Sequence, residues 1–442
     1  MDTIGLSAPA LPTQEELRWV QEVVRPLRVD GVSCHALDAR YEPGSRCTVL
    51  YRLDGELLVG TVSFDRSPRG SRTGVRRFQG PTMEVQPFSC DPSLPGLSGA
   101  LRPEILTPAL NDAFSGSSSE APSVVGSRSS VERYRPSRSC TLRLDVWIRD
   151  PTTGIACRRR LFGKLYPTPA KADAAHATMS QLAEITNAGS GWLRVAQPVA
   201  IVRSLQMVVQ APLPGTSMDR FLRRRAFARA PAQTVAQVRA AARALAELHA
   251  LDLSHPRARP IGPELDRLAG RLAAAAVIDT DLDTSIGRLV DRLRGRLLEL
   301  ELEVQPGRMV HADCKPSQFL VHADGVGLLD FDHAGIADPA LDVGMFMASL
   351  RQLGCRRALE RKRSLTDGEA AWVREHETAF LEEYLHAAGE TGGFLARVAW
   401  YESFGLLRKA RRAMCRSVRS PLPRLLVDEA MECLDPRREV TP

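Results

Sequence analysis

Apolar residues recur at helical spacing through the second half of the chain and at strand spacing through much of the first. Residues 234–251 place Val238, Ala242, Leu245 and Leu248 on one stripe, which predicts an amphipathic helix ending in Leu245-Ala-Glu-Leu-His249. Further helices are predicted over 169–185, 265–277, 286–300, 344–353, 367–389 and 394–416. Nearer the N-terminus only 14–24, begun after Thr13 as a cap, and 103–114 read as helices. Short apolar runs at 49–53, 142–149, 205–209, 319–321 and 326–329 read as strands. The last two are joined by His322-Ala323-Asp324-Gly325, whose Asp-Gly pair suits a tight hairpin.

One strand pattern occurs twice. Arg40-Tyr-Glu-Pro-Gly-Ser-Arg-Cys-Thr48 returns as Arg133-Tyr-Arg-Pro-Ser-Arg-Ser-Cys-Thr141. Each copy runs into a strand and then into a second strand carrying a glycine, Leu58-Val59-Gly60-Thr61 in the first and Leu161-Phe162-Gly163-Lys164 in the second. Each copy therefore predicts a three-stranded antiparallel meander with a proline-containing first turn. Residues 66–131 mix Ser, Gly, Pro and Arg, and 116–130 is expected to be a flexible linker. The predicted division is 1–115, the linker 116–130, a sheet-rich 131–210 and a helical 211–442.

Composition narrows the class. With 442 residues, 44% hydrophobic and 25% charged, the chain can bury a substantial core. No apolar run reaches the length of a membrane span, and the first twenty residues lack the charged-then-apolar order of a signal peptide, so a cytoplasmic protein without membrane partners is expected. Nine scattered cysteines without a CxxC pair argue for reduced thiols. The net charge of +7 is carried by arginine, with lysine only at 164, 171, 315, 362 and 409. The clusters Arg223 to Arg225 and Arg408 to Arg412 lack interleaved aromatics. They read as solvated helix faces rather than a nucleic-acid surface, with a modest pull on phosphate-bearing ligands.

The chemistry concentrates in 311–342, which reads HADCKPSQFLV, a turn, then GLLDFDHAGIADPALD. A β-hairpin here would hold Asp313 and Asp330 at fixed separation beside one cleft. One carboxylate could then accept the proton of an attacking hydroxyl while the other holds Mg²⁺ on nucleotide phosphates. Taken singly, Asp332, Asp338 and Asp342 read as turn residues that bond locally.

These residues resemble the kinase-like phosphotransferases, most closely the aminoglycoside phosphotransferase and choline kinase family. His311-x-Asp313, Asp330-Phe331 and Asp338-Pro-Ala-Leu-Asp342 match its motifs, with Ala337 in place of a glycine. The resemblance implies a two-lobed α+β fold, with a small antiparallel-sheet N-lobe and a mostly helical C-lobe, preceded here by a small α+β cap domain. It implies Asp313 as catalytic base, Lys315 beside it on the transferred phosphate, and Asp330 as the metal-holding carboxylate. Asp342 would brace the loop through backbone hydrogen bonds. Gln318 stands where the family carries Asn as a second Mg²⁺ ligand, one methylene further out. In the second meander, Ser137 and Arg138 fall in the phosphate-covering turn and Lys164 in the place of the lysine that neutralises nucleotide phosphates. Thr61 replaces that lysine in the first, which reads as a degenerate copy. The break Ala211-Pro-Leu-Pro-Gly215 resembles the hinge between lobes, implying Gln210 and Ala211 as adenine contacts. The helix after Lys164 supplies no obvious acidic partner for it: Glu184 comes late and Asp173 early, leaving Gln181 or His176.

The implied activity is transfer of the γ-phosphate of ATP or GTP, with Mg²⁺, to a hydroxyl of a small molecule such as an aminoglycoside, sugar, amino alcohol or natural-product intermediate. Glu382, Glu383 and Glu402 would be available to a cationic acceptor, although solvated helix faces also account for each. Two alternatives stay open: a kinase for Ser or Thr of a precursor peptide, favoured by Lys315, and a nucleotide-binding pseudokinase scaffold, motivated by Gln318 and the missing partner of Lys164. Oligomeric state is not legible.

Overall fold

The computed structural model describes residues 16, 19–20, 23, 27–29, 32–42, 44–53, 55–64, 83–115, 122–188, 191–225, 231–253, 255–272, 279–323, 325–360, 367–390, 393–416 and 420–435. The architecture is two-lobed α+β. Of the helix expected over 14–24, Glu16, Trp19, Val20 and Val23 are described and helical, and the others lie outside the described residues.

The first sheet orders β1 (Leu27–Val29), β2 (Val32–Glu42), β3 (Arg46–Leu53), β4 (Glu56–Ser63) and β5 (Met83–Pro87) as a meander. Alternate residues of β3 serve opposite faces, as the pleat requires. Cys47, Val49 and Tyr51 meet Val20 and Val23. Leu50 joins Val59 in a second core shared with Leu142, Leu144 and Tyr134 of the next sheet. The helices α1 (Leu97–Ala100) and α2 (Pro103–Ser115) fill that shared core with Leu97, Leu106 and Leu110. The first meander is thus packed onto the second.

The second sheet contains β6 (Ser123–Arg135), β7 (Ser139–Arg149), β8 (Ala156–Leu165), β10 (Pro198–Val202) and β11 (Met207–Gln210), in the order β10-β11-β8-β7-β6. Strand β7, between β8 and the edge strand β6, turns Cys140, Leu142, Leu144 and Val146 inward, all fully buried. Two expectations are corrected here. Residues 123–130, expected in the linker, form the first part of β6. It is an edge strand with two irregularities that break the apolar alternation. The strand expected over 205–209 starts at Met207, because Leu205 closes a 3₁₀ turn and Gln206 adopts a left-handed φ of 51°.

The two meanders share a pairing register that extends beyond the residues that suggested a repeat. Tyr41 pairs with Cys47 and Thr48 with Thr61; Tyr134 pairs with Cys140 and Thr141 with Lys164. Thr61 therefore occupies the position of Lys164. A fourth strand repeats too, since Met83 faces Val62 as Met207 faces Leu165. Each methionine sulfur fills the space over a glycine, Gly60 or Gly163, where a Cβ would come within 3.2 Å and 2.6 Å of it respectively.

The C-lobe begins after the hinge. A small sheet orders β12 (Thr216–Ser217), β14 (Phe319–His322), β15 (Gly325–Leu328) and β9 (Leu193–Val195), and β13 (Arg308–Val310) pairs with β16 (Gly335–Ala337). In chain order the remaining helices are α3 (Pro169–Ala188), α4 (Met218–Arg225), α5 (Pro231–Ala250), α6 (Ile261–Leu272), α7 (Thr280–Glu299), α8 (Ala340–Glu360), α9 (Asp367–Ala388), α10 (Phe394–Arg416) and α11 (Leu422–Cys433). No helix among the described residues is long and apolar enough to cross a membrane.

α8 and α10 touch backbone to backbone near the start of α8. A Cβ on Gly344 would lie 2.6 Å from the Glu402 amide nitrogen. Gly344→Ala must push the helices apart and is expected to destabilise the fold by about 1–3 kcal/mol. Chemical denaturation tests this; an unchanged midpoint would contradict the close crossing.

Candidate active site

The loop after β13 is fixed by one buried carboxylate. Asp342, fully buried at the start of α8, accepts the His311 amide at 2.6 Å and the Ala312 amide at 2.7 Å. These bonds hold Ala312 at a left-handed φ of 59°, a conformation that persists only when its surroundings enforce it. His249 Nε2 donates to Asp342 at 3.2 Å, and the Tyr384 hydroxyl lies 2.6 Å from its Nδ1. His249 is thus a core residue supporting the brace. His311 Nε2 donates to the Leu329 carbonyl at 2.8 Å, and its Nδ1 accepts the Asp313 amide at 3.2 Å. One imidazole therefore ties the Asp313 loop to the strand that delivers Asp330.

The hairpin β14–β15 sets the spacing. Leu329 N donates to Gln318 O at 2.9 Å, so Gln318 and Asp330 leave the hairpin side by side. The Gln318 amide reaches both acids, 3.1 Å from Asp330 and 3.4 Å from Asp313. Asp330 itself sits at φ 72°, again in the left-handed region. Asp313, only 6% exposed, is paired with Lys315.

Lys164 at the end of β8 closes the cleft from the other lobe. Its Nζ donates to Asp330 at 2.5 Å and to Asp332 at 2.7 Å, and the Tyr166 hydroxyl donates to Asp332 at 3.0 Å. The partner of Lys164 is therefore Asp332 rather than a residue of α3. Sequence reasoning missed it because the pairing spans 168 positions; the only local signal was a second acid two residues after Asp330. Arg135 adds a further cation 3.7 Å from Asp330.

Electrostatics keep both acids ionised. Burial would raise the Asp313 carboxyl, but Lys315, Arg412 and His311 together hold it well below the usual carboxylate range. Burial also opposes ionisation of Asp330, and Lys164, Arg135 and His311 override it in the same way.

Two expected nucleotide contacts are already engaged. In the β6–β7 turn, Ser137, at φ 59°, donates its amide to Asp91 at 2.7 Å, and the same carboxylate oxygen accepts the Tyr134 hydroxyl at 2.8 Å. The turn is held by a carboxylate from the first domain, so the Ser137 amide is not free for a phosphate. Arg138 projects from the same turn, its guanidinium brought down to about 10 by burial and by Arg40, Arg412 and Arg135. At the hinge, Gln210 pairs with Phe162 and Pro198, and Ala211 donates its amide to Gln197 O at 2.9 Å.

The acids expected to greet a cationic acceptor face elsewhere. Glu382 and Glu383 bind Arg239 and Arg243. Glu402 is buried with Arg351, which also holds Glu377 at 2.9 Å and Glu429 at 2.7 Å. The Arg408 to Arg412 stretch is only partly a solvated face: Arg412 is exposed, whereas Lys409 is 6% exposed and donates to Ser349 Oγ at 2.9 Å. Burial, with Arg412 and Lys315 nearby, pulls its ammonium from an ordinary 10.5 to about 7. The unfolded chain thus binds this proton more readily, and the cost to stability builds as pH falls from 10.5 to about 7. Lys409→Met should stabilise most near and below neutral pH and lose that advantage as pH rises towards that ordinary value. Denaturation across pH checks this, and an advantage growing with pH would contradict it.

A family model described as the phosphotransferase enzyme family, APH, matches residues 144–401, more than half of the chain. Among solved structures the chain is similar to a glucosamine kinase at 17% identity, covering 98% of each chain with a TM-score of 0.47. It is also similar to choline kinase from Cryptosporidium parvum Iowa II at 11% identity, covering 75% of this chain and 94% of that one, TM-score 0.48. An amicoumacin kinase is 15% identical over 69% of this chain and 88% of that one, TM-score 0.45. No curated protein matches the sequence. The family match spans β8 with Lys164, the Asp313 loop, the hairpin and the Asp342 brace, and by it the chain belongs to the phosphotransferase enzyme family, enzymes that transfer a phosphoryl group to an alcohol.

Proposed function

We propose that the protein transfers the γ-phosphate of ATP or GTP to a hydroxyl of a small molecule at the cleft between β8 and the β14–β15 hairpin. The observation that carries this reading is the meeting of Lys164 with Asp330, 166 positions apart, while Gln318 links Asp330 to Asp313.

The donor set suits Mg²⁺ delivered with a nucleotide. Among the described residues no group of three or more His, Cys, Asp or Glu could cage a metal ion. Mg²⁺ asks for less, since it takes one or two protein oxygens and fills its shell with phosphates and water. Asp330 and the side-chain carbonyl of Gln318, after rotation of its amide, would hold it. When bound, the ion neutralises charge developing on the transferring phosphate. Lys164 would move from Asp330 and Asp332 onto nucleotide phosphates, and Lys315 would contribute a second cation. Asp313, ionised, would accept the hydroxyl proton, because a free alcohol is a poor nucleophile at neutral pH. At the hinge Pro212 and Pro214 have no N–H and the Ala211 amide is engaged, so adenine recognition would fall to the Leu213 N–H.

Acceptor-stimulated nucleotide turnover tests the reading, measured with Mg²⁺ and either ATP or GTP across sugars, amino sugars, amino alcohols and aminoglycosides. Turnover stimulated by one class and abolished by EDTA is expected. Tight nucleotide binding with no turnover on any acceptor would instead favour a scaffold.

A further inference from the structure

The charge near Asp313 includes that of Arg412. This residue belongs to α10, where Arg408, Lys409 and Arg412 follow one another within little more than a turn. Arg408 reaches the sulfur of Met345, and Lys409 reaches a serine hydroxyl. Among the described residues none of these three is within ion-pair distance of a carboxylate. The nearby acids are taken by other arginines: Asp338 by Arg397, Glu264 by Arg259 and Glu402 by Arg351.

Strand β2 of the first domain packs against α10 and brings Arg40 to the same place, and the β6–β7 tip brings Arg138. Lys164 and Arg135 bear on Asp330, Arg412 bears on Asp313, and Lys315 and His311 bear on both. The excess of cations therefore gathers around the base, where an acceptor hydroxyl must sit, as well as around the nucleotide residues. All five side chains lie outside the segment matched by the family model.

Of these five, Lys409 is buried and Arg408 half-buried with no carboxylate in ion-pair reach, a positive charge that burial makes costly unless an anion arrives; Arg412 and Arg138 are exposed beside them, and Arg40 pairs with Glu42 at 2.5 Å. We propose that Arg408, Lys409 and Arg412 of α10, with Arg40 of β2 and Arg138 of the β6–β7 turn, receive a phosphate or carboxylate group carried by the acceptor itself. The inference rests on the phosphotransferase reading above. It also gives the first domain a role, which is to close the acceptor pocket with an arginine from its own copy of the repeat. A planar guanidinium fork suits such a group bidentately.

The test uses the full chain with matched sugars: glucose, glucosamine, glucuronate and glucose 6-phosphate, at saturating Mg·ATP. An anionic sugar should exceed its neutral and cationic counterparts in kcat/KM by roughly tenfold or more. Arg412→Ala and Arg40→Ala should raise its KM more than they change kcat. In parallel, inorganic phosphate and glucuronate are titrated into protein loaded with Mg·AMP-PNP. Saturable binding that weakens in both variants is expected even if none of the four sugars is turned over. Preference for glucose or glucosamine would overturn the proposal. So would absence of anion binding to the nucleotide-loaded protein, or a loss of nucleotide affinity in Arg412→Ala as large as the loss of anion affinity, which would assign the cluster to the nucleotide. Failure of the protein to bind Mg·AMP-PNP at all is a separate result and would count against phosphoryl transfer itself.

Discussion

Replacing Asp313 with asparagine is expected to lower kcat by roughly 10²–10⁴-fold while leaving nucleotide affinity near that of the wild type. Asparagine keeps the size of the side chain and removes its ability to take a proton. Asp313 is nearly buried, its loop amides are fixed by Asp342 and its backbone by His311, so the substitution should leave the loop in place. The pH profile adds a second arm. Because Lys315, Arg412 and His311 outweigh burial and hold the carboxyl well below its ordinary 3.8, the base form persists far into acid. No acidic limb in kcat should therefore arise from Asp313 between about pH 5 and 8, a range far above that carboxyl's titration. Single-turnover rates across pH measure both effects. An Asn variant with wild-type kcat would remove Asp313 from the role proposed for it.

Lys164→Met is the second large effect, and it acts on stability and on binding. In the apo protein the lysine neutralises two carboxylates, Asp330 and Asp332, in a cleft where all three side chains are at most 25% exposed. Removing one member of a buried pair leaves the others uncompensated and typically costs about 3–5 kcal/mol. The solvent still reaching this cleft favours the lower end of that range. Nucleotide affinity should fall as well, because the cation meant for the phosphates is gone. Asp332→Asn separates the two effects: Lys164 keeps Asp330, the stability loss is smaller and nucleotide binding survives. Denaturation midpoints and nucleotide titrations on both variants provide the check. Equal losses of nucleotide affinity in the two would contradict a direct phosphate role for Lys164.

The β14–β15 hairpin and the acids beside it were legible in the sequence because their information is local. The spacing from His311 to Asp342 encodes a loop, two strands and a turn, and the structure brings Asp313, Gln318 and Asp330 together at that spacing. The meander repeat was legible for the same reason, although its fourth strand was not. Met83-x-Val85-Gln86 and Met207-x-Val209-Gln210 are too short to register without the pairing that aligns them. Strand β6 was hidden by serine and glycine at an irregular edge, and α11 by Pro421 and Pro423, which a helix accepts in its first turn. The partner of Lys164 and the facing of Arg408 to Arg412 could not be read at all. Both are decided by which surfaces meet after folding, and a charge run looks the same whether it lines a cleft or faces water.

We propose that Lys164, Asp313 and Asp330 form one phosphoryl-transfer centre. Its most direct test follows the label from γ-labelled ATP into a mixture of hydroxyl acceptors, with wild type beside Asp313→Asn and Asp330→Ala. A Mg²⁺-dependent phosphate ester on an acceptor hydroxyl is expected with wild type, and almost none with either variant. Transfer that persists undiminished in Asp313→Asn, or in Asp330→Ala, would contradict it.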